Sequence, residues 1–175
     1  MTALLRNAAA AWAILGGAVL LAVVAVTTWN AGAFALDRLA RTWGGSVGGL
    51  PGYEDFVRYA MAAAVPAFLP WCQWRRGHLA VDLFLRRAPR WLDRGINAVG
   101  LIGIAAAALF LAWWMWLGMI ETREDGALSR VLGWPEWPFY LPGIASLILW
   151  AMVALAQLAG RGEPKDDPSG AGAHG

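Results

Sequence analysis

The residues best suited to chemistry in this chain are His78 and Asp82, four apart, with Arg86 four further on. On a helix that spacing stacks the three side chains on one face, so the Asp82 carboxylate could tether both the imidazole and the guanidinium. A His/Asp pair also suits acid–base catalysis. Catalysis needs companions, and no serine or cysteine nucleophile, glutamate cluster or metal motif accompanies this pair. Cys72 is the only cysteine, so no intrachain disulfide can form; beside it stand only His78 and His174, too few for a closed zinc site. The glycine-rich run Gly44-Gly45-Ser46-Val47-Gly48-Gly49 matches neither a dinucleotide fingerprint nor a P-loop and reads as a flexible surface loop. The expectation is a chain without enzymatic activity, cofactor or metal.

The elements around His78 explain its setting. Hydrophobic residues make up 59% of the 175-residue chain, against roughly 45–50% in soluble domains. Charge is 15% of the composition and is confined: Arg6 to Asp37, Arg58 to Arg75, Arg94 to Glu121 and Glu136 to Arg161 bound stretches that carry none. A membrane-crossing helix needs about 20 apolar residues to pass about 30 Å of hydrocarbon. The pattern predicts an all-α integral membrane protein with four transmembrane helices, over about 8–30, 54–74, 95–120 and 138–159, forming one domain over 1–160. The first stretch is longer than the roughly 7–15 apolar residues of a signal peptide, so it reads as a retained helix.

The second span is the shortest and holds Pro66 and Pro70, which predict a kinked helix whose freed carbonyls need partners within protein. Glu54 and Asp55 in its first turn complement the helix dipole, and Glu54 stands four before Arg58, so Glu54 could neutralise Arg58; otherwise Arg58 snorkels to the interface. Gln73, near the far end, could bond a partner helix or face headgroups. Arg75 and Arg76 suit the negative end of this helix and Gly77 suits a left-handed cap. Beyond it, Val81, Phe84, Leu85 and Ala88 recur at helical spacing opposite His78, Asp82 and Arg86, which predicts an amphipathic interfacial helix over about 79–88. Gly16-Gly17 in the first span and Gly100, Gly103 and Ala107 in the third would let neighbouring helices approach closely, while Trp113, Trp114 and Trp116 suit an aromatic belt. The tail, 161–175, is too polar and glycine-rich to bury a core and is expected to be disordered.

Orientation follows from charge. The connection between the second and third spans carries Arg75, Arg76, Arg86, Arg87, Arg90 and Arg94, whereas the last connection is mainly acidic. The positive-inside rule puts the basic connection, and with it both termini, in the cytoplasm. The net charge of +2 thus reflects membrane topology, and nucleic acid is not an expected partner.

The succession Pro51-Gly52-Tyr53-Glu54, then Pro70-Trp71-Cys72-Gln73-Trp74-Arg75-Arg76-Gly77-His78-Leu79-Ala80-Val81-Asp82-Leu83-Phe84, then Gly133-Trp134-Pro135-Glu136-Trp137-Pro138 resembles the small permease subunit (DctQ-like) of tripartite ATP-independent periplasmic (TRAP) transporters. Arg41, Glu54, Gly77, His78, Val81 and Asp82 fall on positions of the family pattern, and with Arg58, Arg75 and Arg76 they are the candidate interface residues. The resemblance implies a bacterial inner-membrane protein that scaffolds a large permease subunit, with a periplasmic substrate-binding protein delivering the solute. It also implies sodium-coupled uptake of an organic acid by the large subunit. The spans themselves hold no membrane-centre acid or internal repeat of the kind that builds a transport site. Two other readings compete. A membrane anchor of a haem-containing redox complex would need histidines inside spans, and a self-sufficient exporter would need an embedded carboxylate.

Overall fold

The computed structural model describes residues 2–75 and 90–160. It is helical, with no strand among the described residues and one isolated bridge between Leu128 and Pro135. Helix α1 runs Thr2–Arg41, α2 Tyr53–Ala67, α3 Leu69–Trp74, α4 Arg90–Glu124 and α5 Tyr140–Leu158, the last preceded by a 3-10 turn at Trp137–Phe139. Among the described residues, three segments are long and apolar enough to cross a membrane by length and composition: α1, Gly95–Glu124 of α4, and Trp137–Leu158. The expected interfacial helix over 79–88 and the tail over 161–175 lie outside the described residues.

Helix α1 is longer than its expected span. No charge interrupts it before Asp37, and Arg38 and Arg41 in its last turn suit the negative end of the dipole. It stops in a Schellman cap: Gly44 adopts a left-handed φ of 76°, its N–H reaches the Arg41 carbonyl and the Gly45 N–H reaches the Ala40 carbonyl at 2.9 Å. Over the second expected span, 54–74, the chain forms two helices, neither of which is among the three segments long and apolar enough to cross a membrane. Neither Pro66 nor Pro70 has an N–H to donate, so the ladder breaks at Phe68 and resumes with the Cys72 N–H on the Phe68 carbonyl at 2.9 Å.

Across the bundle α1 packs on α2 and α3, these pack on α5, and α5 packs on α4, so α5 is the central helix and α1 and α4 are the flanks. Buried positions are mostly small: Ala9, Ala13, Ala60, Ala64, Ala67, Ala105, Ala108 and Ala154. Backbones approach closely because little side chain separates them. A Cβ on Gly16 would stand 2.9 Å from the Ala67 Cβ and 3.1 Å from the Ala64 carbonyl, so Gly16 is the point where α1 meets α2 beside its break. The other expected small-residue face has no such partner here: a Cβ on Gly100 or Gly103 would meet nothing within 4 Å. Toward α5, α4 instead uses Leu101 and Ala105, which cluster with Ala154.

Candidate functional site

The chain turns between helices at two ends, and each end carries its own polar cluster. One of them, the loop end, carries the α1–α2 and α4–α5 connections. There Pro51 and a left-handed Gly52, φ 75°, start α2, and a Cβ on Gly52 would run into the Leu132 side chain. The first turn of α2 presents Glu54 outward and Asp55 inward. Asp55 is buried, and its Oδ2 accepts from the backbone N–H groups of Val131 at 2.9 Å and Leu132 at 3.1 Å. One turn on, the Tyr59 hydroxyl donates to Glu136 Oε1 at 2.7 Å while its ring stacks on Phe139 at 4.3 Å. The 125–136 connection is itself ordered by hydrogen bonds, Ser129 N–H to the Trp134 carbonyl at 2.8 Å and Trp134 N–H to Ser129 Oγ at 3.0 Å. Asp55 and Tyr59 therefore dock a preformed loop onto α2.

The α1–α2 connection is held as well. Asn30, buried on α1, accepts from the Leu50 N–H at 2.8 Å and donates to the Val26 carbonyl at 3.0 Å. Asp37 accepts from the Val47 N–H at 3.0 Å and pairs with Arg41 at 2.8 Å. That backbone donation, with Arg41 beside it, holds the Asp37 carboxyl below its ordinary value of 3.8. The glycine-rich run is thus tied back along α1 at two points. Gly49 is needed there, because a Cβ would press on Asn30 and Phe34.

At the opposite end the inner half-helix α3 meets α5 through two amides. Gln73 Nε2 donates to Gln157 Oε1 at 2.8 Å, and Gln157 Nε2 donates back to the Gln73 carbonyl at 2.9 Å and the Trp74 carbonyl at 3.4 Å. Both side chains are buried. Midway, Trp12 Nε1 donates to Ser146 Oγ at 2.8 Å and joins α1 to α5.

Of the expected interface residues, Arg41 is exposed and paired with Asp37, Glu54 is exposed, and Arg75 stands over the Trp71 ring at 5.9 Å. The Glu54–Arg58 pair does not form. Arg58 turns instead to Glu136 at 3.9 Å, a carboxylate that the docked loop brings to α2, and lies over the ring of its own neighbour Tyr59 at 5.6 Å. Arg76, Gly77, His78, Val81 and Asp82, and with them the His78–Asp82–Arg86 tether, lie outside the described residues. Gln73 does bond another helix. Its partner Gln157 and the pair Tyr59 and Glu136 were not among the expected site residues, although Gln157 is the lone amide of α5.

The arrangement has the character of an assembly element: polar groups close the bundle at both ends, and large apolar side chains stay exposed along its flanks. On α1 these include Ile14, Leu21 and Trp29, and on α4 Val99, Phe110, Trp113 and Trp114. Residues 47–162 match the family model described as the DctQ component of tripartite ATP-independent periplasmic transporters. No curated protein and no solved structure matches the chain. The family match begins at Val47, leaving Arg41 and all of α1 outside it, but it takes in both polar ends and most of the chain. This protein therefore belongs to the DctQ family, the small permease component of TRAP transporters.

Proposed function

We propose that this chain is the scaffold subunit of a sodium-coupled TRAP transporter in a bacterial inner membrane, bracing a large permease subunit that moves an organic acid delivered by a periplasmic binding protein. Four crossings form the membrane domain, with α2 and α3 together making the second. The basic connection after Arg75 and both termini face the cytoplasm, and the loop end faces the periplasm. Arg41, Glu54, Arg58 and Arg75, with Arg76, Gly77, His78, Val81 and Asp82, belong to surfaces that serve assembly.

The observation that carries this reading is how the buried polar groups are used. Asn30, Asp55, Gln73, Ser146 and Gln157 are each engaged by groups of this same chain. They close its bundle, whereas the outward surface of α1 is apolar. Such a chain supplies shape and contact area to a neighbour, and the family's large subunit is the fitting neighbour.

A mild-detergent pull-down of the tagged protein from its native membrane, followed by mass spectrometry, tests the reading. The expected result is a large multi-helix permease at equal stoichiometry. Recovery of the chain alone, or with haem-bearing redox subunits, would overturn it.

A further inference from the structure

Helix α1 continues well beyond the level at which the rest of the bundle ends. The Asn30–Leu50 hydrogen bond aligns Asn30 with the residues just before α2. At that same end stand Glu54 and Asp55 on α2 and Glu121 and Glu124 on α4, charges that mark the limit of hydrocarbon. Helices α2 and α3, from Tyr53 to Trp74, together hold at most about 33 Å of helical length, on the scale of a hydrocarbon core of about 30 Å. Residues 31–41 then add about 16 Å of helix, more than the roughly 5–8 Å that the headgroup layer contributes on one side. This projecting arm is not polar. Phe34, Leu36 and Leu39 are 48%, 57% and 58% exposed, and Trp43 at its tip is 85% exposed.

An apolar groove of about 610 Å³ runs along α1 across that limit, lined by Ala25, Thr28, Trp29 and Gly32 and, on the arm, by Leu36 and Val47. Its upper wall is the strap that Asp37 holds through the Val47 N–H. Its floor is small, and a Cβ on Gly32 would meet nothing within 4 Å, so a backbone can approach.

The groove's position selects its occupant. An acyl chain can cover Ala25 and Trp29 but ends below Leu36 and Val47. A soluble protein can meet Leu36 and Val47 but does not enter the leaflet. The undescribed parts of this chain depart from Arg75 and Gly160, at the opposite end of the bundle. A second copy in the same membrane, related by a two-fold axis along the membrane normal, would bring Arg38 of each arm to equal height, one positive arm against another. A membrane-embedded helix that itself projects beyond the bilayer fits both halves.

We propose that this groove seats a projecting transmembrane helix of the large permease subunit, making α1 and its arm the principal contact of this chain with that partner. The proposal rests on the scaffold reading above. Its lining from Ala25 to Leu36 falls in the part of the chain that the family match leaves out.

The test uses the whole transporter in its native membrane. A benzoylphenylalanine placed at Ala25, at Leu36 or, for comparison, at Ile102 on the exposed side of α4 is photo-activated, and the adducts are identified by mass spectrometry. Ala25 and Leu36 are expected to capture the same helix of the large subunit, and Ile102 to capture lipid. Gly32→Trp should lower the co-purified large subunit by about tenfold or more, whereas Gly103→Trp, equally open, should leave it unchanged. The cross-links decide the matter should Gly32→Trp fail to fold. Lipid alone at Ala25, or the binding protein or a second copy at Leu36, would overturn the proposal while the pull-down still recovers the large subunit. If the wild-type chain recovers no large subunit at all, the scaffold reading fails and takes this proposal with it.

Discussion

Asp55 at the loop end and the Gln73–Gln157 pair at the other both hold irregular backbone against a helix, yet one is a full charge and the other two neutral amides. The difference follows the groups that need a partner. At the loop end these are N–H donors, those of Val131 and Leu132, and a carboxylate is the strongest acceptor a side chain offers. At the end of α3 they are the last carbonyls of a helix, those of Gln73 and Trp74, which a carboxylate would only repel. An amide both donates and accepts, so Gln157 can reach those carbonyls and still receive the Gln73 side chain. Position adds a second reason. Asp55 stands in the first turn of α2, where the positive end of the helix dipole and Arg58 favour its charge, whereas the buried amides of Gln73 and Gln157 bring no charge out of water.

Removing the charge should have the largest effect. Asp55→Ala leaves two loop N–H groups without their acceptor and is expected to lower stability by about 2–4 kcal/mol, with the 125–136 connection becoming protease-sensitive. Asp55→Asn keeps an acceptor and should lose about half of that. Thermal unfolding in detergent with limited proteolysis measures both, and an Asp55→Ala loop as resistant as wild type would transfer the docking role to Tyr59 and Glu136.

At the other end Gln157→Leu should cost less, about 1–3 kcal/mol, since the groups left behind are neutral. Adding Gln73→Leu sharpens the contrast. The double variant should recover only the part due to the stranded Gln73 side chain, because the carbonyls of Gln73 and Trp74 still lack a donor. Full recovery in the same unfolding assay would mean that the amides serve each other and not the helix end.

Tyr59→Phe is the mildest change. It removes one hydrogen bond to Glu136 and keeps the ring on Phe139, for an expected loss of about 1 kcal/mol. A loss as large as that of Asp55→Ala would move the anchor of the loop one turn along α2.

Parts of both ends were legible in the sequence. The acids in the first turn of α2, the break that Pro66 and Pro70 impose and the lone Gln73 near its end all announce themselves locally. Which acid turns inward did not. Glu54 and Asp55 are neighbours with the same charge, and only the docked 131–132 backbone separates the exposed one from the buried one. Arg58 was recognisable as a boundary cation, but its partner lies 78 residues away at Glu136 and not one turn back. The glycine-rich loop read as flexible because its own residues carry few side chains; the ties come from Asn30 and Asp37 on α1.

The sequence by itself determined the helical class, the long apolar segments, the break between α2 and α3 and the family, because hydrophobic runs, proline and short motifs act over a few residues. Tertiary structure alone decided which small residues are used. Gly16 is pressed against Ala64 and Ala67 while Gly100 and Gly103 face open space, though all sit in the same kind of apolar helix. It also decided that α1 outruns its neighbours to form an arm. A helix's period says which residues share a face, but the rotation and height at which that face meets another helix depend on every contact between them.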